Sequence, residues 1–107
     1  MSKEIYDIEY IKDKLKKVLK KYPVYKVILF GSYAKNNPSE DSDIDFVIDT
    51  KSELLGFKLF ALINILEKEF DKKIDAFENI EIIENSRIDK EIKETGVVVY
   101  EKLWFIK

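Results

Sequence analysis

The sequence predicts a small α/β or α+β domain in which helices pack on a mixed β-sheet. Three observations support this prediction: helical and strand patterns alternate along 107 residues, 46% of the residues are hydrophobic, and only three glycines and two prolines interrupt the chain. This length is typical of one domain with one core. We therefore expect residues 1–107 to fold as a single domain.

The first half of the chain predicts a helix followed by two strands. Asp7 can cap a helix, and apolar residues recur after it at a 3.6-residue period until Pro23. Residues 24–30 are rich in β-branched and aromatic side chains, so we expect a buried strand that ends in a tight turn. After a polar loop with room for one helical turn, residues 43–48 alternate carboxylates with apolar side chains, which is typical of a strand with two unlike faces.

The second half predicts a helix, a strand, a helix and a strand, in that order. The first helical pattern opens at Ser52 and continues to Phe70, although Gly56 lies in its first turns. The second helix begins near Ser86 and ends at Gly96 as a C-cap. The two strands are expected at residues 73–77 and 97–100.

Composition narrows the chemistry that this chain can perform. Lys and Arg total 19 and Asp and Glu total 21, and this net charge of −2 disfavours bulk electrostatic capture of nucleic acid or anionic lipid. The absence of Cys and His excludes disulfides, Cys/His zinc sites, thiol nucleophiles and histidine-dependent triads. Carboxylates, hydroxyls, lysines and Arg87 remain, and the metal that suits them is an oxygen-preferring cation such as Mg²⁺.

The N-terminal residues and the longest apolar stretch predict the cellular location of the protein. Residues 1–4 are polar where a secretory signal would be apolar. Residues 59–66 are apolar but are interrupted by Asn64, and they fall far short of the ~20 residues that span a bilayer. We expect a cytoplasmic protein with no membrane partner.

Two aspartates share one face of the second predicted strand. Asp43 and Asp45 are two residues apart, which places their carboxylates about 7 Å apart along the backbone. Like charges beside apolar neighbours are unfavourable, and a divalent metal would turn that repulsion into a binding site. Asp75, on the next predicted strand, adds a third carboxylate. A solvated strand edge would show the same pattern, so both interpretations stay open at this point.

The dipeptide Gly31-Ser32 follows the first predicted strand. Glycine has no Cβ to block a close approach, the serine hydroxyl can donate, and the N–H groups of a following helical turn can point at an anion. The dipeptide therefore indicates either a phosphate-binding turn or an ordinary turn at the end of a strand.

Three segments in this order resemble the minimal nucleotidyltransferase family of the polymerase-β superfold. They are residues 30–35 (FGSYAK), residues 42–47 (SDIDFV) and residues 74–76 (IDA). Residues 96–101 (GVVVYE) also resemble the end of these small domains. The resemblance implies a polymerase-β-like nucleotidyltransferase fold.

The resemblance implies two sets of site residues. Asp43, Asp45 and Asp75 would be catalytic and would bind two Mg²⁺ ions, and Asp75 could also accept a proton. The nucleotide phosphates would be bound by Gly31, Ser32 and Lys35.

The sequence departs from the family pattern at one position of the phosphate-binding loop. Asn36 stands where glycine is common in the family. Asparagine tolerates a left-handed backbone better than most residues, so we expect the loop to form.

The resemblance also implies substrates and a partner. ATP is the expected donor, AMP the transferred group and a hydroxyl the acceptor. Related enzymes carry further domains for the second substrate, so we expect a partner to supply it here. Stand-alone domains of this kind resemble the antitoxins of HEPN/MNT toxin–antitoxin pairs, in which the transferase adds AMP to a tyrosine of a helical HEPN toxin. We therefore expect an antitoxin that is a protein adenylyltransferase and assembles with a HEPN toxin.

Two other interpretations remain from the sequence. The chain could be a non-catalytic antitoxin or regulatory subunit that neutralises its partner by contact, or one subunit of a two-subunit enzyme that modifies small molecules. The complete set of three aspartates favours an active transferase. The apolar run at residues 103–106 either packs on its own domain or forms an interface within a homo- or hetero-oligomer.

Overall fold

The computed structural model describes residues 2–102, so the apolar run at 103–106 lies outside the described residues. Helices and strands follow the predicted order. Short 3₁₀ turns follow α1 and β3. Within residues 2–102, no helix is long and apolar enough to cross a membrane. The elements are α1 (Ile8–Val18), β1 (Lys26–Phe30), β2 (Ile44–Asp49), α2 (Phe57–Phe70), β3 (Ile74–Glu78), α3 (Arg87–Thr95) and β4 (Val97–Glu101).

The four strands form one mixed sheet in the order β3-β2-β1-β4. Strand β1 pairs antiparallel with both β2 and β4, whereas β2 and β3 are parallel and are joined through α2. Parallel neighbours need such a crossover, because a tight hairpin can only reverse the chain. The predicted mixed sheet with helices packed on it is confirmed.

Helices α1 and α2 cover one face of the sheet. The core contains Leu15 of α1, Leu66 and Phe70 of α2, and Ile44 and Phe46 of β2, all fully buried. Side chains alternate along a strand, so Asp45 leaves the opposite face from its two neighbours. Helix α3, which buries none of its own residues, packs on that second face against β1.

Helix α2 begins at Phe57, so the predicted start at Ser52 is wrong. Lys51 and Ser52 have φ values of 53° and 64°, and Gly56 has a φ of 55°, which are left-handed conformations that no α-helix contains. The buried carboxylate of Glu78 accepts a hydrogen bond from the Ser52 N–H at 3.1 Å and holds this turn in place. Hydrophobic periodicity extended the predicted helix into a segment that tertiary hydrogen bonds keep non-helical.

Helix α3 begins and ends where the sequence predicts. The Ser86 side chain accepts a hydrogen bond from the Asp89 N–H at 3.1 Å, and Gly96 ends the helix. A Cβ at Gly96 would lie 3.0 Å from the Ile28 side chain and closer still to the Ile92 carbonyl. The end of α3 therefore packs tightly against β1.

Candidate active site

The three predicted aspartates lie at one end of the sheet. Asp45 and Asp75 are register partners on the parallel strands β2 and β3, so their side chains leave the same face on adjacent strands. Asp43 precedes β2 by one residue rather than lying on it, which corrects the predicted strand boundary. Asp43 nevertheless lies close enough to Asp75 to interact with its carboxylate.

Burial and like charges act together on these carboxyl groups. Burial raises the pKa of Asp45 to about 6, with further contributions from the carboxylates of Asp75, Asp43 and Glu91. Burial also raises the pKa of Asp43, and Asp75 adds to this effect while the ammonium of Lys73 opposes it. The site therefore concentrates negative charge at a position where solvation is reduced.

The donor chemistry of this cluster fits Mg²⁺, which prefers carboxylate oxygens. A divalent cation would also relieve the repulsion that raises the pKa of Asp43 and Asp45. Within residues 2–102, however, no three acidic side chains converge closely enough to hold a metal ion as they stand. Ligation of one ion by all three aspartates would therefore require their carboxylates to come closer together.

The glycine of the predicted phosphate turn lies directly against Asp45. Phe30 ends β1 as the register partner of Asp45, and Gly31 follows it with a φ of 76°. A Cβ built on Gly31 would overlap the Oδ2 atom of Asp45. Both the backbone conformation and the close approach thus require glycine at this position.

A short helical turn follows Gly31, as the sequence predicts. The Lys35 N–H donates to the Gly31 carbonyl at 3.0 Å, and the Asn37 N–H donates to the Ser32 carbonyl at 3.1 Å. Asn36 has a φ of 62°, so the expectation that it tolerates a left-handed backbone is confirmed. Ser32 is partly buried in this turn, and Lys35 is exposed beside it.

Two residues of α3 reach the site, and no motif in the sequence indicates either of them. The Thr95 hydroxyl accepts a hydrogen bond from the Gly31 N–H at 3.2 Å and donates to the Glu91 carbonyl at 2.8 Å. The Glu91 carboxylate contributes to the raised pKa of Asp45. Their i, i+4 spacing shows that they share a helix face, but only the packing of α3 on β1 shows that this face meets the aspartates.

A small polar cavity of about 130 Å³ lies beside Asp43 and is bordered by the N-terminal segment and the loop before β2. Its most buried residue is Lys72, whose ammonium donates to the carbonyls of Ser2 at 3.0 Å and Glu40 at 3.2 Å. These bonds hold the segment that leads into Asp43. A larger cavity of about 490 Å³ between α1 and β4 contains none of the predicted site residues.

Sequence comparison identifies related proteins over most of the chain. Residues 13–103 match the family described as "Polymerase beta, Nucleotidyltransferase". Two relatives from Methanocaldococcus jannaschii, each named "Putative protein adenylyltransferase", are 39% and 38% identical to the chain over 98 residues. Each alignment covers 91% of this chain and 99% of the relative.

Solved structures share the same fold. A chain from a crystal structure of a toxin–antitoxin with AMP-PNP has a TM-score of 0.72 at 19% identity, covering 85% of this chain and 73% of that chain. A chain from a complex of tri-AMPylated Shewanella oneidensis HEPN toxin with MNT antitoxin has a TM-score of 0.67 at 18% identity, covering 89% and 73%. The predicted polymerase-β-like fold and the predicted resemblance to minimal nucleotidyltransferases are confirmed. By its family match and its relatives, the chain is a nucleotidyltransferase of the polymerase beta family.

Proposed function

We propose that this protein is a Mg²⁺-dependent adenylyltransferase that moves AMP from ATP to a tyrosine of a HEPN-type partner toxin and thereby acts as an antitoxin. The observation that carries the proposal is the juxtaposition of the Gly31 turn with Asp45, which is itself the register partner of Asp75. The turn that we propose binds phosphate and the carboxylates that we propose bind metal thus meet at one end of the sheet.

The roles of the acidic residues follow from their placement. Asp43, Asp45 and Asp75 would hold two Mg²⁺ ions, which when bound neutralise the triphosphate and lower the pKa of the acceptor hydroxyl. Asp75 is exposed on the edge strand β3, so an acceptor hydroxyl can reach it and give up its proton there. The acceptor oxygen then bonds to the α-phosphorus, the bond from that phosphorus to the β-phosphate oxygen breaks, and pyrophosphate leaves.

The phosphate-binding residues act through the turn after β1. The Ser32 hydroxyl and the backbone N–H groups of the helical turn would contact the triphosphate, with the exposed ammonium of Lys35 as a further cationic contact. The Gly31 N–H already donates to Thr95, so Gly31 serves by its conformation and its lack of a Cβ. This arrangement binds phosphate locally on a chain of net charge −2.

Two comparisons support a protein as the acceptor. Relatives at 39% and 38% identity are named for protein adenylyl transfer, and one structural neighbour comes from a complex in which the HEPN toxin carries AMP groups. The open edge of the sheet at β3 is consistent with a large acceptor, because the described part of the chain leaves Asp75 exposed.

The test is incubation of the protein with labelled ATP, Mg²⁺ and the product of the neighbouring reading frame, which we expect to be the helical partner toxin. Mass spectrometry should show that the toxin gains mass in AMP units on tyrosine. Asp43→Asn should abolish this gain. Asp75→Ala should keep much of the nucleotide affinity but lose transfer, because the tyrosine hydroxyl, with a pKa near 10, is then no longer activated.

The same experiment separates catalysis from inhibition by contact. A toxin that is neutralised without added mass, in a complex that survives Asp43→Asn, would overturn the transferase proposal. That result would leave the non-catalytic antitoxin as the function of the chain.

A further inference from the structure

We propose that Thr95, the last residue of α3, is a positioning residue that fixes the Gly31 turn for phosphate binding; this inference rests on the function proposed above. Its hydroxyl accepts from the Gly31 N–H at 3.2 Å and donates to the Glu91 carbonyl at 2.8 Å. A hydroxyl that accepts on one side and donates on the other has one favoured orientation. The end of α3 and the turn after β1 are thereby joined by a directional contact.

Gly31 needs such a contact because it has no side chain, so only contacts to its backbone can fix its conformation. Glycine loses more conformational freedom on folding than any other residue, and here it must keep a φ of 76° beside the Asp45 carboxylate. The bond to Thr95 acts on the Gly31 N–H itself. It therefore favours the observed conformation, in which Gly31 lies against Asp45, and fixes the start of the helical turn that follows.

The position of Thr95 is itself fixed by packing. Gly96, the next residue, is so close to the Ile28 side chain and the Ile92 carbonyl that a Cβ there would be crowded. Helix α3 buries none of its residues, so Thr95 is not part of the hydrophobic core. Removing its hydroxyl should consequently change the turn far more than it changes the stability of the protein.

Two substitutions at Thr95 isolate the hydroxyl. Thr95→Val keeps the shape of the side chain but can neither accept from Gly31 nor donate to Glu91, whereas Thr95→Ser keeps both abilities. The KM for ATP and the kcat are measured with the partner toxin, and the dissociation constant for Mg²⁺–ATP is measured by calorimetry. We expect Thr95→Val to raise the KM and the dissociation constant about tenfold, which is about 1.4 kcal/mol, with a much smaller change in kcat. Thr95→Ser should remain within about twofold of the wild type.

Tyr25→Phe provides the matched control. It removes a hydroxyl that donates to Glu53 at 2.8 Å, on residues outside the site, and should change neither the KM nor the dissociation constant. Urea unfolding of all three variants should show closely similar midpoints, which separates a positioning role from general destabilisation.

Three outcomes would contradict these expectations, and they bear on different claims. Wild-type affinity in Thr95→Val, or equal impairment in Thr95→Val and Thr95→Ser, would overturn the role of the Thr95 hydroxyl. Neither result would affect the proposed function. A wild-type protein that binds no Mg²⁺–ATP would overturn the proposed function, and the role in phosphate binding with it.

Discussion

Asp45 combines a partly buried position with neighbours of like charge, a combination that weakens the folded state. Burial raises its pKa to about 6 from an ordinary value near 3.8, and the nearby carboxylates of Asp75, Asp43 and Glu91 add to this shift. The folded protein therefore binds a proton at Asp45 more tightly than the unfolded chain does. Its contribution to stability is favourable below about pH 4 and is lost as the pH rises through about 6.

Asp45→Asn should accordingly make the metal-free protein more stable near pH 7.5. The Asp45 side chain is only partly buried, so solvent screening limits the expected gain to about 1 kcal/mol, and the gain should shrink toward pH 5. Urea unfolding at both pH values, with chelator present, measures the difference. A variant that is less stable than the wild type at pH 7.5 would instead assign Asp45 a structural role.

Two glycines with positive φ allow a matched test of the turn. Gly31→Ala adds a Cβ that overlaps the Asp45 carboxylate, so it should cost about 1–3 kcal/mol of stability and abolish transfer. Gly56→Ala is also strained, with a φ of 55°, but its Cβ would meet nothing within 4 Å. Urea unfolding and transfer assays on both variants distinguish the two effects. Equal loss of transfer in both variants would show that backbone strain alone, rather than contact with Asp45, explains the requirement for Gly31.

At the level of elements, Glu78 holds the turn between β2 and α2. One of its oxygens accepts from the Thr50 N–H at 2.9 Å, the Thr50 hydroxyl at 2.6 Å and the Ser52 N–H at 3.1 Å, and the other accepts from the Ile80 N–H at 2.7 Å. Burial raises the pKa of Glu78, but these hydrogen bonds outweigh burial and leave the pKa below its ordinary value. The charged carboxylate thus stabilises the fold above about pH 4.5, and this stabilisation is lost as the pH falls through the lowered pKa.

Glu78→Gln should lower the free energy of unfolding at pH 7 by about 1–3 kcal/mol, because an amide cannot accept all four hydrogen bonds. Thermal unfolding at pH 7 and pH 4 should show that the difference from the wild type narrows in acid. Glu78 ends β3, whereas Asp75 lies at its start, so the folded variant should still transfer AMP. Unchanged stability at pH 7 would show that the turn does not depend on this carboxylate.

The order of the elements could be predicted because each one carries a local signal. The apolar period after Asp7, the alternation at residues 43–48 and the cap at Ser86 all identify elements that the structure contains. The start of α2 could not be predicted, because Glu78, which fixes the preceding turn, is distant in sequence. Patterns among neighbouring residues carry no information about contacts made across the sheet.

In the candidate site, too, some residues could be predicted from the sequence and others could not. The aspartates and the Gly31 turn could be predicted as site residues because short motifs in a fixed order contain them, and the strand register then shows that Asp45 and Asp75 are partners. Glu91 and Thr95 were missed because nothing in a helix sequence shows which element the helix will pack against. The contribution of Glu91 and Thr95 to the site depends on the position of α3 beside β1.

At the level of the whole molecule, the charge distribution indicates that nucleotide binding needs a divalent metal. The chain has a net charge of −2, and the carboxylates of Asp43, Asp45, Asp75 and Glu91 lie near one another at the end of the sheet where we propose that a triphosphate binds. A nucleotide triphosphate is strongly anionic, so these carboxylates repel it unless divalent cations lie between them. Nucleotide affinity should therefore depend on a divalent metal.

Calorimetric titration of ATP into the protein, with excess Mg²⁺ and separately with chelator, measures whether nucleotide binding depends on the metal. We expect binding with Mg²⁺, no measurable binding with chelator, and a sharp loss of affinity in both Asp43→Asn and Asp45→Asn while their urea transitions remain cooperative. Equal affinity with and without the metal, or wild-type affinity in both variants, would contradict the assignment of these aspartates as the metal and nucleotide site.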